Sequence, residues 1–309
     1  MVAGAGAFIV LTAIITFIWG SGMEFPVDVG RGLASWVNDR IDEITRNGAF
    51  IFDTVSDVVL KFLIWLEDLL LWLPWPSAIA GVGFVAWRTI GLRVAVFAVF
   101  ALLSTGAVGL WPSAMETAAL IIVSVIISIT IAVPIGILAA RSDTVDSITR
   151  PILDGMQTMP PFVYLVPAIM FFGIGNVPAI FATVIYAVPP AIRLTNLGIR
   201  QVSSDVVEAA RSFGTTPGQL LVKVQIPMAV PTIMAGINQT TMMALGMVVV
   251  ASLVGAGGLG EDVLRALSRF QPGEALLAGL AIVGLAIITD RLTQAAAKGR
   301  QAALHGPGR

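Results

Sequence analysis

"VEAARSFGTTPGQLLVKVQIP", Val207 to Pro227, is a charged stretch with several helix-capping signals, set between long apolar runs. It reads as two short helices. Asp205 is placed to cap the first, with Glu208 three residues on to answer it as in a capping box. Gly214 falls where a helix ends in a left-handed residue. Thr216 caps the second helix, with Pro217 at its first position and Gln219 three residues after the cap, and Pro227 limits it. Ala209 and Ala210 give the first helix a face with almost no bulk. Phe213, Leu220, Leu221 and Val224 supply apolar contacts, and Glu208 and Arg211 are spaced to pair across one turn. A smooth, rigid knob of this kind suits docking into a groove on another protein; the bland alternative is a solvated loop that happens to be helical.

The surroundings of the hairpin are not those of a soluble domain. The chain has 309 residues, 57% hydrophobic and only 12% charged, with a mean hydropathy of +0.91. Soluble domains carry about a quarter charged residues, so the composition predicts an all-α polytopic membrane protein. A net charge of -1 and the absence of cysteine argue against nucleic-acid binding, disulfides and thiol chemistry. The one histidine, His305, removes a His-rich metal site.

A span needs about 20 apolar residues to cross about 30 Å of hydrocarbon. The runs are Val2–Gly22, Pro76–Trp87, Leu92–Leu110, Ser113–Ala140, Pro161–Ile174, Val177–Ile192, Met228–Val254 and Ala275–Thr289, about eight in all. The first lacks the basic start of a secretory signal and reads as a retained segment. "GIGNVP" divides the Pro161–Ile192 stretch either as a tight turn between two short spans or as a re-entrant dip. From Glu24 to about Trp75, acidic residues interleave with apolar ones at three- and four-residue spacing, as in an amphipathic helix on a membrane or partner, or an extramembrane linker. Three segments follow: 1–75 as an N-terminal membrane segment with an amphipathic extension, 76–295 as the transmembrane domain, and 296–309 as a tail. The basic residues Arg141 and Arg150, those around the hairpin (203–227), and those of the tail fall on one side if the spans alternate. The positive-inside rule makes that side the cytoplasm, although Arg265 and Arg269 land opposite.

The spelling of the hairpin goes further. Glu208-Ala209-Ala210, three residues, Gly214, nine residues, then Val224-Gln225-Ile226-Pro227 resembles the "EAA" cytoplasmic loop of ABC importer permeases. The resemblance implies that Glu208, Ala209, Ala210, Arg211, Phe213, Gly214, Pro217, Leu220 and Pro227 form a coupling element that inserts into a cleft of a separate ATP-hydrolysing subunit. Met156–Val202, Pro231–Gly260 and "DRLTQA" (Asp290–Ala295) are similar, more narrowly, to the permeases of glycine-betaine/proline-betaine importers. "LWLPWPSAI" and the segment before it are similar to the N-terminal extension of those permeases. That implies a methionine-importer-like transmembrane bundle in a bacterial inner membrane, with a cytoplasmic C-terminus. It further implies a homodimer, two ATPase subunits carrying ATP and Mg, no cofactor on this chain, and a separate extracytoplasmic solute-binding protein.

The residues agree on the energy source. No Asp, Glu, Lys, Arg or His occurs in Thr117–Ala140, Pro161–Ile192, Met228–Gly260 or Ala275–Thr289, where an ion-coupled carrier usually needs one. No GxxxxGK[ST] loop is present, so this chain does not hydrolyse ATP by that route and is not expected to be an enzyme.

Candidates for the path are Asn238, Gln239, Thr240 and Thr241. They read either as a neutral lining for a cation or as hydrogen bonds between helices. Met242, Met243 and Met247 read as a soft gate or as packing. Tyr164 and Tyr186 offer ring faces to a cation. Pro160, Pro161, Pro167, Pro189 and Pro190 read as hinges or as breaks at span ends. Gly255, Gly257, Gly258 and Gly260 read as a flexible external loop or a tight turn. The leading function is uptake of glycine betaine or related compatible solutes. Choline, carnitine or methionine as cargo, or an ATP-independent channel or scaffold, are the alternatives.

Overall fold

A computed structural model describes residues 30–305, together with Phe8, Leu11, Thr12, Ile14 and Thr16. The rest of the expected first span and residues 306–309 lie outside the described residues. Among the described residues all regular structure is helical. The chain divides into two compact units, Met1–Ala49 and Phe50–Arg309. In the first, the opening turns of α1 (Gly30–Trp72) carry an exposed Arg40–Glu43 ion pair, with Leu33 and Trp36 also exposed.

The second unit holds the remainder of α1, then α2 (Trp75–Thr89), α3 (Leu92–Ala107), α4 (Trp111–Arg141), α5 (Asp143–Thr158), α6 (Pro161–Phe172) and α7 (Asn176–Arg200). The hairpin helices α8 (Ser204–Ser212) and α9 (Pro217–Leu220) come next, then a π turn over Leu221–Gln225. Beyond it run α10 (Ile226–Ala251), α11 (Leu259–Ser268) and α12 (Pro272–His305). Residues 50–75, which composition groups with the N-terminal extension, pack on the bundle. Val59, Leu63 and Leu66 are buried at three- and four-residue spacing in the main core, with Leu70 against it.

Four helical stretches among the described residues are long and apolar enough to cross a bilayer: Trp111–Arg141, Asn176–Arg200, Pro217–Val254 and Pro272–Ala295. The expected Pro161–Ile174 span is only the 12-residue α6, about 18 Å at 1.5 Å per residue, too short for about 30 Å of hydrocarbon. It passes as a span only together with α5, and the pair is bent by 103° at Pro160 and Pro161, neither of which has an N–H to continue the helix. Conversely, the expected Val177–Ile192 span continues to Arg200, straight through Pro189 and Pro190. Those two prolines are therefore inside a helix and not at a span end.

α7 is the centre of the bundle, between α4 and α10. A Cβ on Gly136 of α4 would stand 2.6 Å from Thr195 Cβ and 2.9 Å from the Ile192 carbonyl oxygen. One on Gly236 of α10 would stand 3.1 Å from Ala191 Cα. Ala182, Ala187 and Ala191 of α7 are fully buried. Small residues let the backbones approach, which is how helices gain contact in lipid, where apolar burial alone gives little preference.

Candidate functional site

The hairpin forms as two capped turns. α8 ends at Phe213, and Gly214 takes φ 79°. Its N–H donates to the Arg211 carbonyl at 2.9 Å and the Thr215 N–H to the Ala210 carbonyl at 3.3 Å, the paired bonds of a Schellman ending. Thr216 and Gln219 make the expected capping box: Gln219 N–H donates to Thr216 Oγ1 at 3.3 Å, and Thr216 N–H donates to Gln219 Oε1 at 3.0 Å. Pro217 starts α9 and Leu220 is buried.

Three details differ from expectation. The cap of α8 is Ser203, without a side-chain bond, and Asp205 lies inside the first turn. There its charge suits the positive helix end without accepting the cap bond. Glu208 and Arg211 are both exposed and form no ion pair; Arg211 lines a cleft between the hairpin and the bundle. Pro227 does not end the second helix. Having no N–H, it would leave the Lys223 carbonyl unbonded and clash with it in an α-helix; the π turn widens this region, with Ile226 N–H bonded to the Leu221 carbonyl, and the chain continues into α10. At the tip, Phe213 is 90% exposed, an unpaired aromatic beside a fixed turn. Glu208 and Ala209 are exposed and Ala210 is half-buried.

Beneath the hairpin lies an ionic tether absent from the sequence expectations. Asp146 of α5 is buried yet takes bonds from Arg150 Nε at 3.1 Å and Asn196 Nδ2 at 2.7 Å. Arg200 bonds Asp143 Oδ1 at 2.7 Å and the Ala139 carbonyl at 2.8 Å. In polar α5, outside the spanning segments, the hydrogen bond from Arg150 holds the Asp146 carboxyl below the usual range. Burial opposes this, and Asn196 and the Arg150 and Arg200 charges reinforce it. Only the Asp146–Arg150 spacing, four residues on one helix, was legible in the sequence; the partners from α7 were not.

The path candidates separate into packing and exposed positions. Thr240 is fully buried and donates to the Ala187 carbonyl at 2.8 Å. Asn238 Nδ2 donates to Asp290 Oδ1 at 3.2 Å, and Gln294 shares that oxygen. Thr241 bonds within its own helix and Met247 is fully buried. Gln239 and Met242 are exposed, Met243 half-buried. Gln239 and Met242 belong to one exposed stripe that runs along α10 through Ala235, Gln239, Met242, Gly246 and Val249 and on to Leu253 in the 3-10 turn that follows it. Tyr164 and Tyr186 meet with ring centroids 6.0 Å apart, the hydroxyl of buried Tyr164 donating to the Met156 carbonyl. The glycine segment is a tight turn. Gly255 and Gly258 have φ 84° and 86°, and Gly257 N–H donates to Asn176 Oδ1 at 3.0 Å.

Residues 132–300 match a family described as "Binding-protein-dependent transport system inner membrane component". The chain is 50% identical over 263 residues to the glycine betaine/proline betaine transport system permease protein ProW of Escherichia coli (strain K12), covering 85% of this chain and 74% of that protein. It is 47% identical over 267 residues to the glycine betaine/carnitine transport permease protein GbuB of Listeria monocytogenes serotype 1/2a (strain 10403S), covering 85% of this chain and 94% of that one. Its fold is similar to a chain of the inward-facing MetNI methionine ABC transporter, with a TM-score of 0.53 and 25% identity over 61% of this chain and 92% of that chain.

Proposed function

Because this chain belongs to the binding-protein-dependent transport system inner membrane components, we propose that it is the membrane permease of an ATP-driven importer of glycine betaine and related quaternary-ammonium solutes. The observation that carries the cargo is the 50% identity to a glycine betaine/proline betaine permease over 85% of the chain. The one that carries the mechanism is the hairpin, whose two caps are built and whose tip presents Phe213 bare. Such a knob is pre-ordered for a groove on an ATPase subunit, where a desolvated aromatic anchor contributes most of the binding energy. Hydrolysis of ATP with Mg belongs to that subunit, and solute capture to a separate binding protein outside.

The chain acts as a homodimer in this reading. The exposed stripe on α10 repeats at alternating four- and three-residue intervals, the period of a helix seam. Its small residues Ala235 and Gly246 permit close approach. Gln239 and Met242 on the same stripe then stand where two copies meet, a neutral surface that a cation passes without being held. The hairpin and the C-terminus lie in the cytoplasm, as the basic residues indicate.

Uptake of radiolabelled glycine betaine into proteoliposomes holding this chain with its ATPase and binding protein tests the proposal. ATP-dependent uptake competed by proline betaine or choline is expected. ATP hydrolysis stimulated by binding protein without betaine uptake would move the cargo elsewhere, and uptake independent of ATP would replace the importer with a channel.

A further inference from the structure

Between the hairpin and the bundle lies an open cleft of about 820 Å³. Its wall carries three arginines, Arg141 at the end of α4, Arg200 at the end of α7 and Arg211 on α8, and no carboxylate. Arg200 is already held by Asp143, Asp146 and the Ala139 carbonyl. Arg141 and Arg211 have neither an ion pair nor a side-chain hydrogen bond among the described residues. Two arginines from elements about 70 residues apart in the chain thus line one concavity that carries no carboxylate, and both are exposed, so their charges are open to an anion that enters it.

We propose that this cleft binds the phosphate of an anionic lipid headgroup, with Arg141 and Arg211 as its ligands. Arginine forks match phosphate oxygens in pairs. The cleft's remaining wall suits a lipid better than a free ion. Ala140, Ile199, Leu220 and Leu221 make part of it apolar. Leu138 and Leu197, each one helical turn before Arg141 and Arg200 on the same helix faces, are 56% and 44% exposed, so each helix offers an apolar side chain to an acyl chain next to its arginine. Arg141 and Arg200 end membrane-crossing helices, which places the cleft at headgroup level. A lipid seated there bridges the spans to the hairpin, so the hairpin's position depends on membrane composition. The inference rests on the membrane-spanning reading and not on the cargo: absence of betaine uptake leaves it standing, and absence of lipid binding leaves the importer reading standing.

Titration of the full-length chain in mild detergent with phosphatidylglycerol, read by native mass spectrometry, tests it. We expect one tightly held phosphatidylglycerol per chain. Arg141→Gln with Arg211→Gln weakens that binding by about tenfold or more, the scale for losing charge-assisted bonds, while Arg141→Lys with Arg211→Lys, which keeps the charge and loses the fork, weakens it less than the Gln pair does. Neutralising Arg88 and Arg93, which lie outside the cleft, leaves it unchanged. Equal loss in that control means general surface charge, and overturns the site. Displacement of the lipid by inorganic phosphate at equal concentration means a free-phosphate site, and overturns the lipid assignment. Unchanged lipid binding in the Gln pair, with loss of the co-purifying ATPase, assigns the arginines to an acidic side chain of that partner and overturns the proposal. Because the Lys pair preserves charge and bulk, misfolding of the Gln pair alone does not protect the inference.

Discussion

The hydroxyl of Thr117 on α4 accepts the backbone N–H of Leu259 at 2.8 Å, joining residues 142 positions apart in the chain, and donates to the Ser113 carbonyl at 2.7 Å. Thr117 is 1% exposed, and this bond satisfies one of the amide groups that the start of α11 leaves free. Thr117→Val keeps the shape and removes the acceptor. The expected cost is about 1 to 3 kcal/mol for the orphaned buried N–H, seen as a lowered midpoint in thermal unfolding of the detergent-solubilised chain.

Phe213 is 90% exposed and stacks on no other ring among the described residues. Phe213→Ala is therefore expected to leave the unfolding midpoint unchanged and to weaken co-purification of the ATPase subunit by about thirtyfold, the scale of a 2 kcal/mol interface anchor. Gly214→Val forces a β-branched residue into a left-handed turn and should reduce uptake with normal membrane insertion. Full coupling in both variants would rule out the hairpin as the drive element.

Gly136 has no room for a side chain against Thr195 and Ile192, whereas Gly155 on α5 has nothing within 4 Å. Gly136→Ala is expected to cost about 1 to 3 kcal/mol through forced separation of α4 and α7. Gly155→Ala should be neutral or stabilise by up to about 1 kcal/mol through lower chain entropy. Paired thermal melts of the two variants check the contrast.

Asp146 provides a pH test. Its carboxyl is depressed, chiefly by Arg150, so its contribution to stability is present above the ordinary carboxylate value near 4 and is lost as pH falls through the lower folded value. Wild type should lose stability across this acid window more steeply than Asp146→Asn. The variant should start less stable at pH 7 by about 1 to 3 kcal/mol, as for a charged hydrogen bond removed. Identical slopes in both proteins would show that other carboxylates set the acid limit.

Thr240 and Gln239 are neighbours with opposite expected phenotypes. Thr240→Val removes the bond to the Ala187 carbonyl and should lower stability by about 1 kcal/mol, the net worth of an ordinary hydrogen bond. Gln239→Leu, on the exposed stripe, should leave the free chain's stability unchanged while reducing betaine uptake. A double set of melts and uptake rates distinguishes them.

The sequence by itself determined the membrane class, because a lipid environment is written into composition, and it determined the hairpin's caps. The Gly214 turn and the Thr216–Gln219 box need only backbone within five residues, so local rules are sufficient there. They failed by a small shift at Asp205, where Ser203 begins the helix earlier, and at Pro227, where the π turn carries the chain past a proline that ordinarily stops a helix. Tertiary structure alone decided that Thr240 bonds to α7 and Asn238 to α12, since a polar side chain's partner across a bundle has no signature in spacing. It also decided that α6 is too short to cross alone, that Asp146 lies buried among arginines and an asparagine, and that Arg141 and Arg211 face one cleft. Each depends on which helices touch, and in an apolar chain that choice is made by shape and small residues at contacts such as Gly136–Thr195, not by any pattern along a single helix.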